Sequence, residues 1–541
     1  GLRLAHDLQR GEFHQLRGTP DDLARAAGLF SSVLETSTQP RTQNEARFLL
    51  ARLQQSQGKK AEALATLKPL AARVAADAQS GFPESLILCS QLAMELEEFP
   101  VAIQMAASYL KSNPGGANRP DAWSYLALAS AKSRDWETTT TATTRLLTEH
   151  AEHPGISRTI QSVAEIGYSA GQWEQASRLF KTLMETGAES PFYPAALSGL
   201  AWCEHKKQDY RSAAGHFQAL ATEFPKHELA AEAGFMAGDA LREVGDVEGA
   251  VTGYSAAFKA FQPSGHAFLG GLQVARIRAS QARQLAETGD RVGQRERTAD
   301  ADRMYVEIDR AFPKVAEHDD VLNEWALVLY ENEDYEKADA LFRRIVAEHP
   351  TSKHADGARF SLAESDLVNG RVERAQAEFA GLSDSDGTAA QVREDSIFRL
   401  IGIGVELGQW KSVADRAEQL ATRFAESPYL AESRFHLGNA RLNLGDPSAA
   451  DEILDGLAKS IGDPEIAESE WFPHVWPLLA EAQFRQKKYD AVLETANRLR
   501  QWDRDSEVVY LVDEVIGRSL KNQAKFDEAR AAFKRVIESE K

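Results

Sequence analysis

The sequence feature that most constrains this chain is a pattern that recurs about every 37 residues. In its clearest copy, Asp319–Ala355, apolar residues follow three- and four-residue steps in two short segments. This spacing predicts two amphipathic helices joined by a turn, and Tyr335 directly follows the turn. A helix pair this small cannot bury its own apolar stripe, so the copies must stack on one another.

Counterparts of Tyr335 recur along the whole chain. They are Leu23, Lys60, Phe99, Trp136, Trp173, Tyr210, Val247, Val372, Trp410, Pro447, Tyr489 and Phe526. With Tyr335 in its place, the successive intervals are 37, 39, 37, 37, 37, 37, 88, 37, 38, 37, 42 and 37 residues. Because 88 is about twice the period with extra residues, one irregular pair should lie in that gap, which makes fourteen pairs. The residue three positions later is usually alanine, as at Ala338, and lets two helices approach closely.

The residues around the turn resemble the signature of the tetratricopeptide repeat (TPR) family. The matching motifs are Leu437-Gly438 with Gly445-Asp446, Gly171-Gln172-Trp173 with Ala176 and Phe180, and Asp209-Tyr210 with Ala213, Phe217 and Pro225. The resemblance covers nearly the whole chain. It implies an all-α, right-handed α-solenoid of about fourteen TPR-like helix pairs with no sheet. The period exceeds the roughly 34 residues of a minimal repeat, and this longer variant is similar to the TPRs of bacterial envelope and periplasmic proteins.

The 88-residue gap divides the predicted solenoid. We expect an N-terminal arm of about seven pairs at 1–261, an irregular pair with an arginine-rich insert at 262–313, and a C-terminal arm of about six pairs at 314–541. Within the irregular pair the pattern predicts helices over about 266–287 and 298–312, with polar residues 290–297 added before the second helix. This insert is expected to be either a flexible joint or a site of lengthened helices.

The composition argues against several classes of partner. The chain has 62 basic and 81 acidic residues, a net charge of −19, whereas nucleic acids and anionic membranes attract cationic surfaces. Basic protein partners fit this charge better. No run of 18 apolar residues occurs, so no membrane insertion is expected. The two cysteines, Cys89 and Cys203, lie in different repeats next to apolar residues and are expected to be buried, not disulfide-bonded.

Motifs that would carry catalysis or hold a cofactor are not found. His150 and His153 have a spacing that could hold a metal, but no third ligand lies nearby in the sequence. Gly402, Gly404 and Gly408 imitate part of a nucleotide-binding loop, yet they fall inside a predicted helix. We therefore predict a protein that is not an enzyme and that holds no cofactor or metal.

The TPR resemblance implies a binding surface, because in that family the first helix of each pair lines a concave face where peptides dock. Transferred by position, the candidate partner-binding residues are Trp202, His205, Phe235, Asp239, Arg242, Asn323, Tyr330, Glu364, Asn439 and Phe484. This face is expected to be acidic with interleaved aromatic residues. The recurring phenylalanines could instead pack one repeat on the next, and Trp202 could serve either purpose.

Three functional hypotheses remain open at this point. The first is a non-enzymatic scaffold that binds a protein or peptide on the acidic concave surface, with basic partners favoured, in the bacterial cell envelope or alternatively in the cytoplasm. The second is a structural or regulatory subunit of a larger membrane-associated assembly, which contacts its partners by its ends and edges. The third is the non-catalytic arm of a transferase. The oligomeric state is left open.

Overall fold

Helices joined by short turns and loops make up the described part of the chain. The computed structural model describes residues 2–539, the side chain of residue 78 excepted, and within this range it contains 29 α-helices and no strand. Twenty-eight of the helices form the fourteen predicted pairs, and the remaining one is a four-residue helix between pairs. Across the described residues, no helix combines the length and the apolar character needed to cross a bilayer.

The fourteen pairs follow one another along the chain. The first seven pairs are α1 (Leu2–Arg17) and α2 (Pro20–Thr36), α3 (Pro40–Ser56) and α4 (Lys60–Ala76), α5 (Glu84–Glu95) and α6 (Phe99–Ser112), α7 (Arg119–Lys132) and α8 (Trp136–Glu149), α9 (Ile156–Ser169) and α10 (Trp173–Met184), α11 (Tyr193–Lys206) and α12 (Tyr210–Glu223), and α13 (Ala230–Glu243) and α14 (Val247–Ala260). The eighth to eleventh pairs are α15 (Gly265–Glu287) and α16 (Arg291–Ala311), α17 (His318–Glu331) and α18 (Tyr335–Glu348), α19 (Ala355–Val368) and α20 (Val372–Asp384), and α21 (Ala390–Glu406) and α22 (Trp410–Arg423). The last three are α23 (Leu430–Asn443) and α24 (Pro447–Ala458), α26 (Val475–Arg485) and α27 (Tyr489–Trp502), and α28 (Val509–Asn522) and α29 (Phe526–Ser539), with the short α25 (Pro464–Ala467) before α26.

Two compact units divide the chain. The first unit ends at Ile277 and the second begins at Arg278, so the division falls inside α15. Within each unit, helices pack mainly against their neighbours in the sequence, which is the contact pattern of an α-solenoid. The division of the chain into two arms and an irregular pair stays a prediction.

The turn inside each pair explains why the repeat is so regular. Every counterpart of Tyr335 after Leu23 is the first residue of the second helix of its pair. Two positions earlier the backbone is left-handed, with φ of 82° at Gly445 and 65° at Glu333. In six of the turns the intervening residue is an aspartate that caps the second helix, as where Asp446 Oδ1 accepts from the backbone N–H of Ala449 at 3.1 Å.

Small residues allow the two helices of a pair to touch. The alanines predicted to permit close approach are all buried: Ala26, Ala63, Ala102, Ala176, Ala213, Ala250, Ala338, Ala375, Ala450 and Ala529. The first helix contributes small residues as well. A Cβ on Gly438 would lie 2.7 Å from Leu454 Cδ2. This distance is shorter than a van der Waals contact, so any residue larger than glycine would clash there.

The eighth pair differs from the prediction in one respect. The residues expected as an insert before the second helix are helical, because α16 already begins at Arg291, one residue after its aspartate cap Asp290. Arg291 is thus the missing counterpart, and it lies 44 residues after Val247 and 44 before Tyr335. The excess over 37 is seven residues, about two helical turns, so the helices themselves are lengthened. Whether this region is a joint stays a prediction.

The 42-residue interval from Pro447 to Tyr489 holds additional structure before α26. Residues 462–470 include the four-residue helix α25, which Asp463 caps by accepting from the backbone N–H of Glu465 at 3.1 Å. The segment then packs into the core, since Phe472 is fully buried with its ring centroid 5.1 Å from that of Trp502. The extra residues therefore fill space beside the helices of the thirteenth pair.

Candidate functional site

The ten candidate residues all lie on first helices and share three repeat positions. They lie five, eight or twelve residues before the residue that begins the second helix, as His205, Trp202 and Phe235 illustrate relative to Tyr210 and Val247. Steps of three and four residues return to the same side of a helix, so these positions form one stripe. We call this stripe the first-helix face.

In α11 the first-helix face takes part in packing. The Trp202 ring meets Phe217 edge-on with centroids 5.3 Å apart, and Trp202 is only partly exposed. His205 lies against Tyr210 in the same manner at 5.1 Å. Both contacts join the first helix of the sixth pair to its second helix. The structure therefore shows a packing role for Trp202 and leaves its predicted binding role as a prediction.

The candidates on α13 form a small network with α14. Asp239 Oδ1 accepts from the Tyr254 hydroxyl at 3.0 Å and from Arg242 Nη2 at 3.0 Å. The Phe235 ring lies 5.4 Å from the Tyr254 ring. Burial, followed by the nearby Asp239 carboxylate, raises the pKa of Tyr254, so its hydroxyl stays protonated and donates. The carboxylate on this part of the face is thus paired, and its charge is balanced locally.

In the second unit the first-helix face is more open. Tyr330 on α17 is 42% exposed, and Leu327 on the same helix is 43% exposed. On the next first helix, α19, Glu364 Oε1 lies 2.9 Å from Arg399 Nε of α21. Burial raises the pKa of Glu364, although the Arg399 guanidinium opposes this shift. An ion pair with one half-buried partner therefore lies beside exposed apolar side chains.

The neighbouring part of α21 completes this surface. The Phe398 ring stacks on Tyr429 with centroids 4.2 Å apart, and the Tyr429 hydroxyl donates to Asp395 Oδ1 at 3.0 Å. At Gly402 an added Cβ would have no neighbour within 4 Å among the described residues, so the surface is open there. We call the exposed surface formed by Leu327, Tyr330, Glu364, Phe398, Arg399 and Gly402 the α17–α21 patch.

Within this patch, Tyr330 and Glu364 were predicted from the sequence as partner-binding residues, whereas Leu327, Arg399 and Gly402 were not. Leu327 and Gly402 precede the first residue of their second helices by eight positions, as Glu364 does. Their repeat position could therefore have predicted them. Arg399 has no such signal, because its role depends on how α21 packs beside α19.

The remaining candidates lie elsewhere on the first-helix face. Asn323 is partly buried on α17, and Asn439 Oδ1 accepts from Asn443 Nδ2 at 2.9 Å on α23. The guanidinium carbon of Arg518 lies 4.7 Å from the Phe484 ring centroid, and Arg518 also pairs with Glu481. Asn439 and Phe484 thus already have partners within the chain, an amide and a guanidinium group respectively.

The cysteines are buried, as expected from the sequence, and both are free thiols. Burial raises the pKa of Cys89 to about 12 and that of Cys203 to about 11. A thiol with such a pKa stays protonated at neutral pH, and the thiolate is the reactive form. Both residues therefore serve packing.

One group of side chains could hold a metal, which the sequence analysis did not foresee. Within the described part of the chain it is formed by His318, Glu348 and His349, each with a ligand atom within 4.8 Å of the others. In the sequence, His150 and His153 stood out instead because of their spacing. The helical hairpin could have indicated this cluster, because the start of the first helix of a pair and the end of its second helix lie side by side.

Comparison with known proteins agrees with this architecture. The family model of the tetratricopeptide repeat matches residues 168–228 and 323–390, which cover all of α10, α11, α12, α18, α19 and α20 and most of α17. The chain contains tetratricopeptide repeats. No curated protein matches this TPR sequence.

Several solved structures are similar to the TPR chain at low sequence identity. A chain from the structure of Naa15/Naa10 bound to HypK-THB is 13% identical, with 98% of this chain and 99% of that chain covered and a TM-score of 0.33. A tetratricopeptide repeat protein from Parabacteroides merdae is 14% identical, with 51% and 99% covered and a TM-score of 0.31. The C-terminal part of a TPR repeat-containing protein from Cytophaga hutchinsonii is 14% identical, with 51% and 99% covered and a TM-score of 0.34. TPR proteins are generally scaffolds for protein interaction.

Proposed function

We propose that this TPR protein is a non-enzymatic scaffold that binds a protein partner on the α17–α21 patch. The observation that carries the proposal is the exposure of Leu327 and Tyr330, 43% and 42%, beside the ion pair of Glu364 and Arg399. Most apolar residues of the stacked helices are buried between repeats. An exposed leucine and tyrosine side by side on one helix are therefore available to a partner.

The chemistry of the patch suits recognition of a peptide or a partner helix. Tyrosine offers a large apolar ring with a polar end, and such residues often dominate binding energy when a partner covers them. The Glu364 carboxylate is already partly desolvated, and its pKa is raised mainly by burial. A hydrogen bond from the partner to Glu364 would fix the partner's orientation, because a partner bound in another orientation would leave the carboxylate without its donor.

The proposal extends to the character and location of the partner. The net charge of −19 supports a basic protein or peptide, which the chain would attract over distance. At the patch itself Arg399 balances Glu364, so apolar contact carries the local docking. A bacterial envelope location is part of the proposal as well, and its support is the long repeat period.

Site-specific crosslinking tests the proposal in the native full-length protein. A photo-crosslinking amino acid at Leu327 should attach to a specific protein partner in cells. The matched control is the same amino acid at Ala340, an exposed residue on α18 of the same pair. The double variant Leu327→Ala/Tyr330→Ala should then weaken binding of the purified partner by about tenfold or more. Equal crosslinking at both positions, or unchanged binding by the double variant, would refute the α17–α21 patch as the binding site.

A further inference from the structure

Two histidines meet at the open end of the ninth pair. His318, 4% exposed at the start of α17, places Nδ1 2.9 Å from Nε2 of His349, which follows α18. The other ring nitrogen of His318, Nε2, lies 2.8 Å from Asp309 Oδ1 on α16. The three residues thus form a line from α16 through α17 to the end of α18.

The Asp309 carboxylate fixes the tautomer of His318. A carboxylate only accepts hydrogen bonds, so His318 Nε2 must carry the proton and donate it to Asp309. In the neutral ring, Nδ1 then presents a lone pair toward His349. A carboxylate behind a histidine in this way is the arrangement that orients histidine ligands in metal sites.

A third ligand is within reach at the same place. A carboxylate oxygen of Glu348, the last residue of α18, lies within 4.8 Å of one ring nitrogen of His318 and of one ring nitrogen of His349. Arg344 binds both acids of the cluster, with Nη1 2.9 Å from Asp309 Oδ2 and Nε 2.9 Å from Glu348 Oε1. Two carboxylates against one guanidinium leave one negative charge uncompensated when both histidines are neutral.

We propose that His318 Nδ1, His349 Nε2 and a Glu348 oxygen bind a divalent transition-metal ion such as Zn²⁺. Two imidazoles and one carboxylate form a ligand set that zinc uses in sites that keep a fourth position for water. Imidazole ligands also favour zinc over magnesium and calcium, which take oxygen ligands. Asp309 is a positioning residue, because it holds His318 in the ligating tautomer without touching the ion.

The geometry needs only a small adjustment. Zinc–nitrogen bonds of about 2.0–2.1 Å in a tetrahedral site separate the two nitrogens by about 3.3 Å, whereas the gap between His318 and His349 is 2.9 Å. A shift of a few tenths of an ångström opens the gap. Glu348 is 45% exposed, so its side chain can turn from Arg344 toward the ion while Arg344 stays paired with Asp309. Such an ion would join the two ends of the ninth pair.

Metal titration of the purified full chain tests this site. Zn²⁺ added to the metal-free protein should bind with one equivalent per chain in isothermal titration calorimetry. Co²⁺ in its place should give visible absorption bands of the intensity typical of four-coordinate cobalt. His349→Ala should weaken zinc binding by more than about 100-fold, and Asp309→Asn by about 10- to 100-fold. His153→Ala, which alters an exposed histidine outside the cluster, should bind like the wild type.

His318 is buried, so His318→Ala could unfold the ninth pair, and His349→Ala and Glu348→Gln carry the test because these side chains are more exposed. Circular dichroism of each variant confirms that it is folded. The inference is overturned if the wild type binds no stoichiometric zinc. It is equally overturned if His349→Ala and Glu348→Gln both bind zinc as the wild type does, since the ion would then lie elsewhere.

Discussion

Gly238 on α13 lies directly against the ring of Tyr254 on α14, so a Cβ at Gly238 would be 2.6 Å from Tyr254 Cδ1. The same relationship recurs at the twelfth and fourteenth pairs, where Gly438 faces Leu454 and Gly517 faces Phe533. A small residue on the first helix therefore accommodates a large one on the second, and this fit sets how closely the helices of a pair approach.

Gly238→Ala should destabilise the protein by about 1–3 kcal/mol, because the added methyl group has no room in the packed interior. The denaturant midpoint in urea, followed by circular dichroism, measures the effect. Gly215→Ala is the control, since Gly215 lies in the middle of α12 with no neighbour within 4 Å of its Cβ among the described residues. There alanine should stabilise by about 0.5–1 kcal/mol. Equal effects at both positions would contradict the packing argument.

Glu333→Gly should stabilise the protein by about 0.5–1 kcal/mol. Glu333 occupies the left-handed turn position with φ of 65°. A residue with a side chain loses about 1–2 kcal/mol of folding free energy in this conformation, and glycine does not. Part of that gain is offset because glycine loses more conformational entropy on folding. Gly171→Ala, at the same turn position with φ of 80°, should have the opposite sign. Thermal unfolding of the two variants checks the pair, and a stabilising Gly171→Ala would show that the turn conformation carries no strain.

Thr143→Leu should stabilise the first unit by about 1 kcal/mol. Thr143 lines a cavity of about 220 Å³ beside α8, and the equivalent position in the following pairs holds Phe180 and Phe217. Leucine would fill part of this volume and also favours helix more than threonine does. Urea unfolding gives the measurement. Thr141→Ala is the control on the exposed side of α8 and should change the midpoint only slightly. A Thr143→Leu variant no more stable than this control would show that the cavity is already filled.

Glu364→Gln should become more stable relative to the wild type as pH rises from about 4 to 7. Burial raises the pKa of Glu364 above its ordinary 4.5, so the folded chain keeps a proton that the unfolded chain releases. The contribution of Glu364 to stability therefore falls as pH rises from 4.5 through its folded pKa, and glutamine removes this fall. Urea midpoints of both proteins across this range provide the test. A difference that does not change with pH would indicate that Arg399 fully offsets the burial.

The lengthened eighth pair touches the end of α17 through two polar contacts that should differ in strength. Gln294, 7% exposed, donates from Nε2 to Asn332 Oδ1 at 2.7 Å, whereas Arg283 and Glu331 pair at 2.7 Å with both side chains about half exposed. A double-mutant cycle should give about 0.5–1.5 kcal/mol of coupling for the Gln294–Asn332 contact. The exposed ion pair should couple less strongly, by about 0.2–1 kcal/mol, and weaken in salt. Stronger coupling in the exposed pair would contradict this ranking.

Spacing alone predicted the pairs and their turns because one backbone conformation recurs in every turn, with a capping residue just before residues such as Tyr335 and Pro447. For the same reason the ten candidate residues fall on one stripe. The start of α16 could not be predicted from this spacing. The positions three and seven residues after Arg291, where other repeats bury alanine and phenylalanine, hold the buried polar residues Gln294 and Thr298. The ion pair of Glu364 with Arg399 could not be predicted either, because it depends on contact between two helix pairs and not on a residue's position within one pair.

The seven added residues of α16 have a consequence for how such a chain can change length. Seven residues return a helix to within about 20° of its starting rotation, so Gln294 and Thr298 fall in line with Ala301 and Tyr305 on the buried side. An insertion or deletion of two or five residues in this segment would instead turn the exposed Glu296 toward the neighbouring helices. Repeats of this type can therefore grow or shrink during evolution in heptad steps, and a protein engineer who wishes to shorten the eighth hairpin should remove whole heptads.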